Sequence, residues 1–181
     1  MCRIEELQST IQYRFDNETL LVNALTHSSY ASENGKNYRS NNERLEFIGD
    51  AYLGAVVATK LYSVMDDTQE GILSRKRAEV VCESTLADVA RSIGLGKYIL
   101  LGKGEDAHNG REKDSILSDA MEAVIGAIFL DGGFDACREV ILRLFAEKIR
   151  MAIKGELIHD FKSELQRRIQ HRFHENRLEY V

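Results

Sequence analysis

Residues 42–57, Asn42-Glu-Arg-Leu-Glu-Phe-Ile-Gly-Asp-Ala-Tyr-Leu-Gly-Ala-Val-Val57, combine three carboxylates with a long apolar run. The asparagines at its start can cap a helix, and the apolar pattern extends this helix to about Met65. On a helical wheel Glu43, Glu46 and Asp50 share an arc of roughly 60°. Because most other positions are apolar, the stretch predicts a buried helix with an acidic stripe at one end.

A second stretch repeats this arrangement. It reads Ser115-Ile-Leu-Ser-Asp-Ala-Met-Glu-Ala-Val-Ile-Gly-Ala-Ile-Phe-Leu-Asp-Gly-Gly133 and places Asp119 and Glu122 one helical turn apart. An uninterrupted apolar run follows the two acids. The pattern therefore predicts a second core helix, over residues 113–130, that also carries carboxylates.

The two acidic stripes are expected to meet where the helices cross. Gly54 and Gly126 each follow the last acid of a stripe by four residues, so we expect the crossing at these glycines. Any single acid could simply pair with a base such as Arg44 or Lys113. Such pairing does not account for all four acids together, because no base shares the stripe. Four clustered carboxylates repel each other unless they are protonated or bind a cation, and an all-oxygen ligand set favours Mg²⁺ or Mn²⁺. Such ions suit phosphodiester hydrolysis. The predicted ligands are Glu46, Asp50, Asp119 and Glu122.

The rest of the chain also favours a helical protein. It has 181 residues, of which 44% are hydrophobic, and it contains no proline. This length fits one full domain and at most part of a second. The glycines between residues 94 and 110 predict a long loop, as do the polar residues 32–40, while Gly132 and Gly133 should end the second core helix. Further helices are expected over residues 4–11, 17–25, 70–93 and 134–149.

Composition and charge restrict the function classes. Three widely spaced cysteines exclude a disulfide framework and a paired-cysteine zinc site, and neither a secretory signal nor a membrane-spanning run is visible. The cytoplasm is therefore the expected compartment. The net charge of −5 argues against binding polyanions through bulk positive charge, so a nucleic-acid partner requires cations at the contact.

The stretch 42–50 closely resembles the signature of the ribonuclease III family. Three further segments match that family in order: Ala24-Leu-Thr-His-Ser-Ser-Tyr-Ala31, Glu70-Gly-Ile-Leu-Ser-Arg-Lys-Arg-Ala78, and 115–133. The resemblance identifies residues 1–154 as an all-α endonuclease domain. Residues 160–170 resemble the first helix of a double-stranded-RNA-binding domain, so residues 155–181 are expected to be a linker and the start of such an α/β domain, in truncated form.

The family resemblance implies an enzyme that acts on double-stranded RNA. Members form homodimers with a valley that holds the duplex, and a water activated by a divalent metal hydrolyses the phosphodiester bonds. The products carry 5′-phosphate and 3′-hydroxyl ends with a short 3′ overhang. The resemblance implies Mg²⁺, for which Mn²⁺ can substitute, and roles in processing ribosomal precursors and messengers. No nucleotide-binding motif is present, so neither a nucleotide cofactor nor a membrane partner is expected.

The resemblance also assigns roles to single residues. Glu46, Asp50, Asp119 and Glu122 match the metal ligands, with Asp50 and Glu122 as the catalytic pair. Glu43 and Glu70 match further acids needed for RNA processing. The oddly placed Phe47 matches a knob at the dimer interface, although the sequence also allows an ordinary core phenylalanine.

Several basic residues are candidate RNA contacts, and one alternative function stays open. His27 either contacts RNA or satisfies a core hydrogen bond, and short basic clusters on helices are often only solvated faces. The alternative is a binding module for double-stranded RNA that cuts weakly or not at all because its second domain is incomplete. The candidate contacts are His27, Arg75, Lys76, Arg77, Arg167 and Arg168.

Overall fold

The computed structural model describes residues 2–35 and 38–157 of the chain. Within them the secondary structure is helical, and one isolated β-bridge joins Thr26 to Leu100. The all-α prediction is confirmed. The predicted start of an RNA-binding domain lies, from residue 158 onward, outside the described residues. The helices are α1 (Cys2–Ile11), α2 (Glu18–Ala24), α3 (Ser28–Glu33), α4 (Glu43–Val64), α5 (Glu70–Val81), α6 (Glu83–Ser92), α7 (Lys103–Ala107), α8 (Asp114–Leu144) and α9 (Ala146–Lys154).

The first part of α8 forms the centre of the domain. Every residue from Ala123 to Ile128 is buried, because α4, α6 and α2 pack around this part of the helix. The prediction of a core helix here is confirmed. At Gly133, where φ is 78°, the helix is interrupted, as the glycine pair predicts. No helix in the described part of the chain is both long and apolar enough to cross a membrane.

The helices α4 and α8 cross at Gly49 and Gly126. A Cβ atom at Gly49 would lie 1.8 Å from the Glu122 carbonyl oxygen, and one at Gly126 would lie 2.1 Å from the Leu45 carbonyl oxygen. The expected crossing at Gly54 is wrong, since no atom lies within 4 Å of a Cβ placed there. Gly49 shares a helix face with buried Leu45, whereas Gly54 points roughly 140° away from Gly49 around the helix.

The helix α4 is buried on one side only. Its inner face packs against the core, but Phe47 is 79% exposed and Tyr62 is 75% exposed. Ala51 and Ala55 are also exposed. The expectation of a helix buried on nearly all sides is therefore wrong for one chain, because only the face around Gly49 meets other helices.

The predicted helix over residues 70–93 is two helices. The chain is extended at Cys82, where ψ is 156°, between the end of α5 and the start of α6. The hydroxyl of Thr85 donates a 2.7 Å hydrogen bond to the Glu79 carbonyl oxygen, and the Cys82 thiol also donates to that oxygen. These side chains take over an acceptor that a continuous helix would use.

The two predicted loops contain short helices. The end of α3 and a 3₁₀ turn, Tyr38–Ser40, lie in the polar segment, and the glycine-rich segment holds α7 and two 3₁₀ turns, Leu95–Lys97 and Gly110–Glu112. The backbone of the glycine-rich segment is hydrogen-bonded to the residues between α2 and α3. The amide of Leu100 donates to the Leu25 carbonyl, and the amide of His27 donates to the Leu100 carbonyl. These contacts are long-range, so local sequence patterns do not reveal them.

Candidate active site

Three carboxylates from two helices form a compact cluster. Glu46 lies in the first turn of α4, while Asp119 and Glu122 lie on adjacent turns of α8. One carboxylate oxygen from each side chain lies within 4.8 Å of the other two, and all three residues are half-buried. The structure thus brings together three of the four residues that the sequence predicts as metal ligands.

Asp50 lies beside this cluster without joining it. It is exposed and does not belong to the group of oxygens within 4.8 Å. Its charge nevertheless raises the pKa of Glu122, and it also raises the pKa of Glu46. Asp50 therefore stands at the solvent side of the cluster, where a bound ion or a substrate can be reached.

The cluster carries uncompensated negative charge. Burial and the neighbouring charges of Asp50, Glu46 and Asp119 raise the pKa of Glu122 to about 8. Burial and neighbouring acids also raise the pKa of Glu46 and, despite a hydrogen bond from Ser118, that of Asp119. None of the ion pairs between described residues involves any of these four acids. Since no ion pair within the described part of the chain neutralises the cluster, its donor set fits a hard divalent cation.

The two further acids lie in different places. Glu43 is in the first turn of α4, and its charge raises the pKa of Glu46. Glu70 begins α5 and accepts a hydrogen bond from the Ser74 hydroxyl. It is not among the charges that shift the pKa values of Glu46, Asp119 or Glu122. Within one chain, then, Glu43 belongs to the surroundings of the cluster and Glu70 does not.

Phe47 and His27 have defined positions. The exposure of Phe47 excludes an ordinary core phenylalanine and leaves an aromatic ring on the surface next to the acids. His27 caps α3, because its Nδ1 accepts the backbone N–H of Ser29 at 3.3 Å and lies 2.8 Å from the Ser29 hydroxyl. This bonding supports the structural alternative for His27, although its charge also lowers the pKa of Asp119.

The basic cluster on α5 divides between the interior and the surface. Lys76 is 8% exposed, and its ammonium group donates a hydrogen bond to the Ala152 carbonyl oxygen at the end of α9. This placement removes Lys76 from the candidate RNA contacts. Arg75 and Arg77 are exposed, and Arg75 forms a 3.8 Å ion pair with Glu79. Arg167 and Arg168 lie outside the described residues.

Sequence reasoning missed the residue that sets the spacing of the cluster. Gly49 packs on the backbone of Glu122 and thereby fixes how closely the acids of α4 approach those of α8. The signal was present in the sequence, since Gly49 is the one small residue on the apolar face that includes Leu45 and Leu53.

Comparison with known proteins identifies the family of the chain. The family model described as Ribonuclease-III-like matches residues 17–149. The chain belongs to the ribonuclease III family. It is 51% identical over 164 residues to Ribonuclease 3 of Caldanaerobacter subterraneus subsp. tengcongensis, a match that covers 91% of this chain and 72% of that protein. Because the chain belongs to this family and has relatives this similar, it is an endoribonuclease.

Solved structures show the same fold. The nuclease domain of ribonuclease III from Campylobacter jejuni superposes with a TM-score of 0.74 at 41% identity, over 88% of this chain and all of that one. A second structure of that domain has a TM-score of 0.75 at 43% identity and covers 80% of this chain and 97% of that one. It was described as showing structural flexibility in a region involved in dimer formation. The family assignment thus rests on sequence and fold together.

Proposed function

We propose that this ribonuclease III-family endoribonuclease hydrolyses double-stranded RNA with the help of Mg²⁺ held at the cluster of Glu46, Asp119 and Glu122. The observation that carries the proposal is the convergence of these half-buried oxygens within 4.8 Å, outside every ion pair between the described residues. A carboxylate with a pKa near 8 is costly to ionise at neutral pH without a cation. The donor set therefore fits the metal on grounds of charge and chemistry.

The side chains of the site have different proposed roles. When bound, a divalent cation supplies the Lewis acidity that lowers the pKa of water and stabilises charge on the departing 3′ oxygen. Glu122, the most buried acid of the group, orients its carboxylate from the rigid crossing of α4 and α8. Asp50, at the solvent side, is positioned to accept a proton or to hold a water near the scissile phosphate. No protein nucleophile is needed, so water attack leaves 5′-phosphate and 3′-hydroxyl ends.

The substrate and its biological setting are also part of the proposal. A duplex carries closely spaced phosphates, and a divalent cation at the acidic cluster would offset the local repulsion between those phosphates and the carboxylates of a chain whose net charge is −5. Arg75 and Arg77 are exposed and remain proposed phosphate contacts. Processing of ribosomal precursors and messengers in the cytoplasm is the proposed role.

The homodimer is proposed from the exposed side of α4. Phe47 places an apolar ring in solvent beside the acids, and α4 exposes Ala51, Ala55 and Tyr62 as well. An exposed apolar band next to a functional site is typical of an interface. A second copy of the chain would cover it.

The proposed second domain adds phosphate contacts. If residues 155–181 begin a double-stranded-RNA-binding domain, a longer chain that completes this domain should bind duplex RNA more tightly and with a steeper salt dependence. Equal affinity and salt dependence for the two lengths would contradict this domain assignment. The binding-only alternative predicts duplex binding by this chain without cleavage.

Analysis of product ends tests the proposed reaction. A long RNA duplex and its separate single strands are incubated with the protein and Mg²⁺, or with EDTA, and the fragment ends are mapped. We expect cleavage of the duplex only, in Mg²⁺ only, with 5′-phosphate ends and short 3′ overhangs. Cleavage of the single strands at an equal rate, or cleavage in EDTA, would refute the proposal.

A further inference from the structure

The ring of His27 is held in one orientation at the start of α3. Its Nδ1 atom accepts a hydrogen bond from the Ser29 N–H at 3.3 Å and lies 2.8 Å from the Ser29 hydroxyl oxygen. That oxygen accepts a 2.9 Å hydrogen bond from the Gly102 N–H, so its own hydrogen is free to point at Nδ1. The backbone N–H of His27 also donates to the Leu100 carbonyl oxygen. Side-chain and backbone contacts together therefore fix the ring.

These contacts leave the other ring nitrogen with a hydrogen to donate. Since Nδ1 acts as an acceptor, the proton of the neutral ring lies on Nε2, and a protonated ring carries a hydrogen there as well. No described residue accepts a hydrogen bond from Nε2 of His27, and the side chain is only half-buried. The two ring nitrogens point in roughly opposite directions, so this N–H points away from the backbone that Nδ1 caps.

Backbone hydrogen bonds place His27 beside the acidic cluster. The carbonyl oxygen of Thr26 accepts the Asn42 N–H at 2.9 Å, and the Asn42 carbonyl oxygen accepts the Glu46 N–H at 2.9 Å. His27 thus follows a residue that is bonded directly to the start of α4. Electrostatics agree with this placement, since burial raises the pKa of Asp119 and a charge on His27 acts in the opposite direction. The ring therefore lies near Asp119.

Capping of α3 alone does not require a histidine. The side chains that cap helices best are those of Ser, Thr, Asp and Asn, which offer one acceptor to the first turn. A histidine adds a second polar atom that the cap does not use. The structural role of His27 and a contact with RNA are therefore compatible, because they use different nitrogens.

The chemistry of the cluster requires a hydrogen-bond donor near it. Ionised carboxylates accept hydrogen bonds and cannot donate them to an anionic phosphate. A cation at the cluster attracts the phosphate but does not fix its orientation. A neutral N–H beside the acids can hold a phosphate oxygen without adding a charge that repels the cation.

We propose that His27 donates its Nε2–H to a non-bridging oxygen of the RNA phosphate that enters the acidic cluster, while its Nδ1 caps α3. The proposal rests on the proposed nuclease function and adds a substrate-positioning residue to it. The hydrogen bond orients the phosphate beside Asp119, and the contacts of Ser29 and Gly102 keep the donor aimed.

Two substitutions separate the roles of the two nitrogens. His27→Asn keeps an acceptor close to the backbone, where it can cap α3, but removes the outer N–H. His27→Gln places an amide N–H near the position of Nε2 but gives up the cap. His108→Asn is the matched control, because His108 is exposed and its Nδ1 is bonded to the Gly104 carbonyl oxygen.

The variants are compared by duplex cleavage in saturating Mg²⁺, by thermal unfolding, and by calorimetric binding of Mn²⁺ without RNA. We expect His27→Asn to lower kcat/KM about tenfold, mainly through KM, as the loss of one hydrogen bond to a charged group predicts. Its melting temperature and Mn²⁺ affinity should match those of the wild type. His27→Gln should melt at a lower temperature but lose less of kcat/KM, and His108→Asn should match the wild type throughout.

Three results would overturn the proposal. Cleavage by His27→Asn at the wild-type kcat/KM would reduce His27 to a helix cap. A loss of Mn²⁺ affinity in that variant would show that the residue acts through the metal site and not on the RNA. An equal or greater loss of kcat/KM in folded His27→Gln would show that the outer N–H is not the group that matters.

Duplex binding separates this test from that of the nuclease function. Affinity for a short RNA duplex is measured by fluorescence anisotropy, with Ca²⁺ in place of Mg²⁺ to slow turnover. His27→Asn should bind about tenfold more weakly than the wild type. A wild type that binds the duplex but does not cut it in Mg²⁺ would refute the proposed reaction alone, whereas equal affinities of wild type and His27→Asn would refute the phosphate contact alone.

Discussion

Gly49 lies directly against the carbonyl group of Glu122, so close that a Cβ atom at residue 49 would stand 1.8 Å from the carbonyl oxygen. The contact joins the backbones of the two helices that supply the acidic cluster. Because the approach is set by backbone atoms, it holds the α4 carboxylates at a fixed distance from Glu122. The geometry of the site therefore requires that residue 49, one helical turn after Glu46, has no side chain.

Replacing Gly49 by alanine should separate the two helices. Overpacking at a rigid contact costs about 1–3 kcal/mol of unfolding free energy, and a clash with backbone atoms belongs at the upper end of that range or beyond. We expect a lower melting temperature together with weaker Mg²⁺ binding. Gly71→Ala on α5 is the control, since nothing lies within 4 Å of a Cβ placed there. Equal melting temperatures for the two variants would show that the crossing tolerates a methyl group.

Stability without metal should fall as the pH rises. The pKa of Glu122 is raised from 4.5 to about 8 by burial and neighbouring acids, so the folded state holds a proton that the unfolded state releases. This group leaves stability unaffected below pH about 4.5 and lowers it progressively between there and pH about 8, by a few kcal/mol in order of magnitude. Thermal unfolding in EDTA from pH 5 to 8.5 should show the decline.

The variant Glu122→Gln and added Mg²⁺ separate the causes of this pH dependence. The amide cannot ionise, so the slope should become shallower in the variant. In the wild type, Mg²⁺ should restore stability most at high pH, where the carboxylates are ionised. A slope that is identical in wild type and variant would assign the effect to other groups.

The sequence patterns predicted the main features of the fold, and the predictions that were wrong have identifiable physical reasons. The apolar runs correctly indicated the helix α4 and the core part of α8, but they overestimated the burial of α4, which exposes Phe47 and Tyr62. The crossing was assigned to Gly54 because spacing from the acids alone cannot say which side of a helix meets its neighbour. The break at Cys82 depends on side-chain hydrogen bonds to the Glu79 carbonyl, which apolar periodicity does not encode.

The acidic cluster could be predicted better than the basic contacts. Three acids lie close together because they are carried by two helices whose apolar residues already predicted that the helices pack against each other. Lys76, by contrast, appears within a basic run, yet its ammonium group is buried against the end of α9. Charge type alone does not show which way a side chain points.

Lys76→Met should therefore destabilise the fold. The substitution removes a buried charged donor from the Ala152 carbonyl, which keeps its hydrogen bond from the Gly155 N–H, and losing a hydrogen bond to a charged group costs about 1.5–3 kcal/mol of unfolding free energy. Arg77→Met, on the exposed side of α5, should change stability by no more than about 0.5 kcal/mol. Chemical denaturation of both variants measures the difference. If Arg77→Met proved the more damaging change, the placement of Lys76 would be contradicted.

Phe47→Glu should dissociate the proposed dimer without unfolding the chain. The ring contacts solvent over most of its surface, so its loss removes little packing within one copy. At an interface, however, the new charge would be buried without a partner. Sedimentation should show a shift from dimer toward monomer at unchanged helix content, with Tyr30→Phe, a change on α3 and not on α4, as the control. An unchanged mass distribution would remove Phe47 from the interface.

Single-turnover cleavage by Glu122→Gln tests the central claim most directly. Wild type and variant are compared at equal concentration on one long RNA duplex with saturating Mg²⁺, after circular dichroism has shown that both are folded. We predict that the wild type cuts the duplex and that the variant loses at least about a hundredfold in rate, because its amide removes one charged ligand from the cluster. Cleavage by the folded variant at the wild-type rate would contradict the assignment of the cluster as the catalytic centre.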